Sequence, residues 1–572
     1  MDAGKRSLDQ ILTGSTLLEV PFYQRGYVWG KDQWERLIED MEFISSTDRS
    51  YFIGSIILKQ QWVNSGSAQR RTIIDGQQRL TTLSIFFKVL CQKNDDTNRF
   101  DRRFRLEDGN LAIKHSRRDS EAFNAALNTS DVATLDGNDK VTQAYNYFVR
   151  HLDPSKLDID KILNQLQIVV IDLGLDEDEQ QIFDTINSLG VRLTTAELLK
   201  NYFFQDNDLE DYKTYWENVF EKDTASLAYW EKEINAGRFK RTLVDLFFYS
   251  FLQIKIQDKE LSVDAKDKLL FGKYERLFES YKHLVGSGKY EIDKTEFLVE
   301  MRQYAELFRK IIDPGSIDQP IEPTDAVNRI NNVIFGLDAS ILIAYLLFVV
   351  QRNGNDQESL SGILNAVESY MVRRVIVRAS TKELGSLFGE SLILNDIYTR
   401  EAFNDYVLEK SDKSLFFPSN SQLKFGIENS KLTNSHARGV LYLLESSVRD
   451  YARNSNSLLG LKKYSLEHLM PKKWENKWGQ LESIEATEAR NNKLLTLGNL
   501  AIITQSLNAN INDADWQTKL NGRGSHRGLK AYASGIETLS TYLELPAWDE
   551  STIQERADNL YDQAISVWPA GE

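Results

Sequence analysis

The sequence predicts an α+β protein that is predominantly helical, and three observations predict it. The first 90 residues alternate β-branched runs with amphipathic segments. From about residue 205 to 410, helical periodicity and charge continue with few turn signals. Near the C-terminus, two short β-like stretches sit among helical segments. The expected parts are a small mixed-sheet N-terminal domain (1–205), an acidic helical middle (206–412) and a helical C-terminal domain (413–572) that carries a strand-strand-helix motif.

In the first part, WERLIEDMEFI has apolar residues at 34, 37, 38, 41 and 44, which is a helical period. Residues 51–58 (YFIGSIIL) and 71–75 (RTIID) read as strands. The segment after them, GQQRLTTLSIFFKVL, reads as a helix from about Gln78. Residues 161–174 (KILNQLQIVVIDLG) suggest a strand ending near Asp172. DEDEQQIFDTINSLG reads as a helix stopped by Gly190, and LTTAELLKNYFF opens another with Thr194 or Thr195 as N-cap. In the middle part, DASILIAYLLFVVQR reads as a buried helix. Residues 418–421 (PSNS) mark the best late boundary, followed by the helix HARGVLYLLESSVRDYAR.

With 572 residues, two to four domains are expected. Apolar residues are 41% and charged residues 27%, which argues against wholesale disorder. The single cysteine, Cys91, cannot form an internal disulfide, so a reducing, cytoplasmic setting is expected. The N-terminus has no apolar signal core, and no stretch reaches the ~18 apolar residues of a membrane span. The net charge is −15, yet residues 1–120 carry +3, residues 121–410 carry −17 and residues 411–572 carry −1. The acidity belongs to the middle, and both ends are free to meet phosphate.

The sharpest chemistry lies in KKYSLEHLMPKKWENKWG. Glu467, His468 and Pro471 form an acidic-His-x-x-Pro pattern after a β-like stretch. LLTLGNLAIITQSLNANI follows about 30 residues later, with Asn499 at a strand start and Asn508 beyond it. One His-x-x-Pro is common by chance; the ordered set is more specific. It matches the ββα-metal layout of HNH, or His-Me finger, nucleases. That chemistry needs a histidine to take a proton from water and one divalent cation to neutralise the scissile phosphate. The expected roles are His468 as general base, Glu467 and Asn508 as ligands of Mg²⁺ or Mn²⁺, and Asn499 orienting the His468 ring through its side-chain or backbone oxygen. Lys462, Lys463, Lys472, Lys473 and Lys477 against Glu467 and Glu475 give residues 462–479 a local +3. Lys472, Lys473 and Lys477 are the expected DNA contacts. Trp474 and Trp478, four apart, read equally as a buried helix face or as stacking surface. Of the other histidines, His115 reads as part of a solvated basic patch, and His151, His283 and His436 sit in helical contexts without evident partners.

The second constellation is PFYQRGYVW at 21–29 and IIDGQQRLTTL at 73–83. Asp75, Gly76, Gln77, Gln78 and Arg79 lie between a strand and a helix N-terminus. Gly76 permits close backbone approach, helix-start amides favour an anion, and Arg79 is a bidentate phosphate donor. Gln24 and Arg25 could face the same anion. A polar turn capping a helix is the plainer reading, and Tyr23, Tyr27 and Trp29 read as core from periodicity alone.

Together with FDTINSLGVRLTTAELLKN at 183–201, these pieces resemble the GmrSD-type modification-dependent (type IV) restriction endonucleases. The resemblance covers roughly residues 5–205 and 415–545. It implies a ParB/sulfiredoxin-like N-terminal domain that binds and hydrolyses a nucleoside triphosphate, often GTP, and a C-terminal HNH nuclease that cuts foreign DNA. The family includes proteins that restrict glucosylated hydroxymethylcytosine phage DNA and effectors that sense phosphorothioate marks. By resemblance, Asp75 to Arg79 form the nucleotide-hydrolysis motif. Tyr23, Gln24 and Arg25 match the family's YQR element, with Tyr23 also assigned to DNA, and Lys200 and Asn201 match its Leu-x-Lys-Asn element. Asn187-Ser188-Leu189-Gly190 stands where Asn-x-Arg-Gly is frequent, and an arginine appears instead at Arg192.

The expectation is thus an NTP-regulated, metal-dependent DNA endonuclease of anti-phage defence that senses DNA modification. The alternatives are a nucleotide-binding sensor with an inactive HNH domain acting through a protein partner, and a nuclease acting on RNA or nicking host DNA. A homodimer is left open by the sequence.

Overall fold

The computed structural model describes residues 2–62, 69–174, 194–204, 208–237, 239–409, 414–450, 458–479, 481–511, 513–533 and 535–571. The expected helix ending at Gly190, the Asn187–Gly190 departure and Arg192 lie outside these residues. Two compact units emerge, Met1–Trp216 and Glu217–Glu572.

The first unit is built on a six-stranded mixed sheet: β1 (Asp2–Ser7), β2 (Thr16–Glu19), β3 (Tyr51–Gln60), β4 (Gln69–Asp75), β5 (Ile113–Lys114) and β6 (Leu166–Leu173), in the order β1-β6-β3-β4-β2-β5. Central β3 runs antiparallel to β4 and parallel to β6. Helix α1 (Lys31–Ser46) buries Trp34, Leu37, Met41 and Ile44, the stripe its period predicts. Helix α2 (Gln77–Lys93) is buried on nearly every side, because LTTLSIFFKVLC offers no continuous polar face. It therefore runs through the core, and its first turn is held rigidly at the end of β4. Helix α3 (Thr195–Phe203) begins with a capping box: the Thr194 hydroxyl accepts from the Glu197 amide at 3.2 Å, and Glu197 accepts from the Thr194 amide at 2.8 Å.

The second unit is helical apart from short strand pairs. The hairpin β7 (Glu233–Ala236) and β8 (Phe239–Thr242) lies near its start. The apolar run of the middle part forms the buried helix Ile343–Asn353. Helices α4 (Ala326–Gly336), α5 (Gln357–Ile376) and α6 (Asn434–Val448) share a buried polar network. Arg329 donates to Glu368 at 2.9 Å and to the Ser446 hydroxyl at 2.9 Å, while the Trp568 indole donates to Glu368 at 2.8 Å. Arg373 donates to the carbonyls of Trp568 and Pro418 and to Asn420. These bonds cross residue 412 in both directions. Buried cations on one side of the expected boundary there take acceptors supplied by the other. No helix among the described residues is long and apolar enough to cross a membrane.

Near the C-terminus, β9 (Tyr464–His468) pairs antiparallel with β10 (Leu500–Thr504), placing Leu500 opposite His468. Helix α7 (Gln505–Ile511) follows directly and turns Leu507 and Ile511 inward. Helices α8 (Trp516–Asn521) and α9 (Glu550–Val567) complete the surround.

Candidate active site

In the N-terminal unit, the three motif elements converge. Gln24 Nε2 donates to the carbonyls of Ile73 at 2.7 Å and Ile74 at 3.0 Å, pinning the PFYQR loop to the end of β4. Gln77 donates to the Arg25 carbonyl at 3.0 Å. Gln78 donates to the Gly26 carbonyl at 3.1 Å and accepts from the Val28 amide at 2.9 Å. Gly76 has φ +100°, and a Cβ there would stand 2.4 Å from Ile56 Cγ2. Only glycine fits that turn. Asn201 donates to the carbonyls of Tyr23 and Glu197, both at 3.2 Å, with its amide oriented to suit those neighbours. Arg25 lies 3.9 Å from Glu197. Lys200 is buried on the same helix.

The amides of Gln24, Gln77 and Gln78 thus build the site's wall. Asp75 and Arg79, 3.9 Å apart and partly exposed, and Arg25 carry the charged ends. Tyr23 is 5% exposed, and its ring packs edge-on against Phe22 at 5.3 Å, so it offers no surface to DNA. The expected DNA contact there is corrected: the ring fills core beneath the loop. His115 is corrected likewise. It is buried, shares a 2.7 Å hydrogen bond with the Thr81 hydroxyl, and burial pushes its pKa down to about 4.

At the C-terminal site, β9, β10 and α7 give the strand-strand-helix order that the sequence predicts. Glu467 and His468 end the first strand. Asn508 lies half-buried on α7, flanking the inward face set by Leu507 and Ile511. A family profile described as the N-terminal domain of GmrSD restriction endonucleases matches residues 8–204, and one described as their C-terminal domain matches residues 417–563. The chain belongs to the GmrSD restriction endonuclease family. No curated protein matches the chain.

Membership makes the chain a DNA endonuclease of restriction, and the GmrSD C-terminal domain is where the strand-strand-helix motif lies. His468 Nε2 is buried and has no hydrogen-bond partner. Burial, with the charges of Lys472 and Lys519, pushes the His468 pKa down to about 4, so the ring is neutral near pH 7.

Asn499 takes a different part from the one expected. It is fully buried. Its Oδ1 accepts from the Met470 amide at 2.8 Å and the Trp548 indole at 2.9 Å. Its Nδ2 donates to the carbonyls of Met470 and Leu494, both at 2.9 Å. Its own carbonyl accepts from the Leu469 amide at 3.0 Å. Both oxygens are engaged away from the His468 ring. Asn499 staples the chain leaving β9 to the start of β10, satisfying backbone groups that burial would otherwise orphan. The glycine of the same GmrSD motif is structural too. A Cβ on Gly498 would stand 2.3 Å from the Ile553 carbonyl of α9.

Sequence reasoning missed Lys519. It lies on α8, fully buried, and its ammonium pairs with Glu467 Oε1 and donates to the His468 carbonyl at 2.7 Å. Burial pushes the Glu467 carboxyl up and the Lys519 ammonium down, and their mutual attraction opposes both shifts. Exposed Asp513 also acts electrostatically on Glu467, His468 and Lys519. No sequence signal pointed to Lys519, because it lies 51 residues beyond His468.

Lys472, Lys473 and Lys477 are exposed. Trp474 is core: Arg490 stacks over its ring at 4.6 Å, and its indole donates to Asn491 at 2.8 Å. Trp478 is half-buried and donates to the Ala514 carbonyl at 3.3 Å. Among the described residues, no group of three or more His, Cys, Asp or Glu is arranged to hold a metal ion. Glu467 and Asn508 both offer oxygen donors, the type a hard divalent ion takes, and Lys519 already pairs with Glu467 Oε1.

Proposed function

We propose that this endonuclease is metal-dependent and of the HNH type, with His468 as general base, and that its N-terminal unit hydrolyses a nucleoside triphosphate to regulate cutting in response to DNA modification. The orphaned, buried Nε2 of His468 at the end of β9 carries the reading. A neutral imidazole with a free nitrogen accepts a proton from the attacking water. Glu467 and Asn508 would hold Mg²⁺ or Mn²⁺. When bound, such an ion supplies positive charge against the scissile phosphate and leaving oxygen. Lys472, Lys473 and Lys477 hold the DNA backbone. In the N-terminal unit, Arg25 and Arg79 meet the phosphates of GTP or another triphosphate beside the first-turn amides of α2. Asp75 orients water, and Lys200 with Asn201 closes the far side.

The test is cleavage of supercoiled plasmid by wild type and His468→Ala, with Mg²⁺ or Mn²⁺, with and without GTP, on unmodified and modified DNA. Loss of a general base lowers the rate by about 10²- to 10⁴-fold. Equal cutting by the two proteins refutes the assignment, and cutting indifferent to nucleotide or modification refutes the regulation. The Lys519 ammonium on Glu467 favours one second reading, an inactive nuclease domain that signals through a protein partner. Absence of cutting in every arm would select it.

A further inference from the structure

A cavity of about 610 Å³ opens in the second unit, beside the β7–β8 hairpin and the turn after α4. None of the candidate active-site residues lines it. Its size suits a ligand of nucleoside dimensions.

One wall is a ladder of flat groups. The Arg241 guanidinium lies 3.8 Å from the Tyr274 ring centroid and 5.1 Å from that of Phe239. Tyr274 and Tyr249 follow with centroids 5.2 Å apart. Phe239 remains 59% exposed at the end of this ladder, a large ring face left in water. Stacked aromatics and a guanidinium are the parts from which base-stacking platforms are made.

Two groups of the polar lining stand apart from the stacking wall, Asp338 and His436. Asp338 is held at φ +57°, a left-handed conformation that costs a non-glycine residue free energy and recurs at ligand sites. His436, in the first turn of α6, lines the cavity near it and is kept toward its neutral form by burial. Arg241 is the one lining cation among the described residues and lies 3.9 Å from Glu275, while Asp338 supplies a second carboxylate to the lining. An acceptor-rich edge beside a stacking wall selects a flat ring that carries N–H donors.

We propose that this cavity binds a nucleobase bearing an exocyclic amino group, cytosine or adenine, with the aromatic ladder holding its face and Asp338 and His436 reading its edge. The source is either a free nucleoside or a base extruded from DNA; the DNA source rests on the endonuclease reading.

The experiment uses full-length His468→Ala protein, which leaves the DNA uncut. Saturation-transfer NMR is run with cytidine and adenosine, and with uridine and inosine, which lack the amino group. A short duplex carrying one 2-aminopurine reports base extrusion by its fluorescence. Transfer to cytidine and adenosine that exceeds transfer to uridine and inosine is expected. Phe239→Ala and Asp338→Asn should each weaken binding by about tenfold with melting temperature unchanged. A fluorescence rise with the duplex assigns the ligand to DNA; nucleoside binding without that rise assigns it to a free nucleoside, and the cavity proposal stands. No response to any probe, equal binding of uridine and cytidine, or undiminished binding by both cavity variants overturns it. A failed endonuclease reading shows separately, as wild-type protein that cuts no plasmid while nucleoside binding persists.

Discussion

Lys519→Met tests the architecture of the C-terminal site most directly. The Glu467 and Lys519 side chains are 6% and 1% exposed, so neither charge has water to fall back on. Removing one partner of such a pair costs about 3–5 kcal/mol, because the carboxylate left behind is buried and unmatched. The same change removes the donor to the His468 carbonyl. Proton uptake by Glu467 limits the loss, at about 1.4 kcal/mol per pH unit between its pKa and the buffer. The expected loss at pH 7.5 therefore lies toward the lower end of that range, read as a lowered urea midpoint at unchanged slope. In the double variant Glu467→Gln/Lys519→Met, no charge is stranded and much of the loss returns. The assay is equilibrium urea denaturation of the four proteins in a double-mutant cycle. A single-variant loss below about 1 kcal/mol, or a double variant as unstable as the two losses summed, would refute the claim that a desolvated pair organises the end of β9.

Two further outcomes concern the N-terminal unit. Gly76→Ala should destabilise it by about 2 kcal/mol or more, since the added Cβ meets Ile56 and the backbone is left-handed; thermal denaturation measures the loss, and a stable variant would show that the turn is not locked. His115 titrates near 6.5 unfolded but near 4 folded, so the unfolded chain binds the extra proton between these values and stability falls as pH drops through that window. By pH 4 the loss from this residue approaches about 3 kcal/mol, and His115→Gln should flatten the stability profile of the wild type between pH 6.5 and 4.

Much of the site was legible because its signals are local. Glu467 and His468 are adjacent on one strand, and Asp75 to Arg79 span one strand-to-helix turn, so spacing alone groups them. The α1 stripe and the Thr194 cap follow from periodicity and from side chains three residues apart. Asn499 was legible as a motif residue but not in its role. Its four side-chain bonds reach Met470, Leu494 and Trp548, and only folding brings those groups together. His115 and Trp474 show the same gap. Beside charged neighbours in sequence, each reads as surface or remains ambiguous, and each is buried by packing from elsewhere.

The sequence by itself determined the α+β class, the two motif-bearing ends and the family. These depend on residue type, order and short-range spacing, which a chain carries before it folds. Tertiary structure alone decided that residues 217–572 form one unit, that Lys519 neutralises Glu467, and that an aromatic cavity opens beside the β7–β8 hairpin. The physical reason is desolvation. Burial forces charges and polar groups to find partners far along the chain, and which partner each one finds is a property of the packed core.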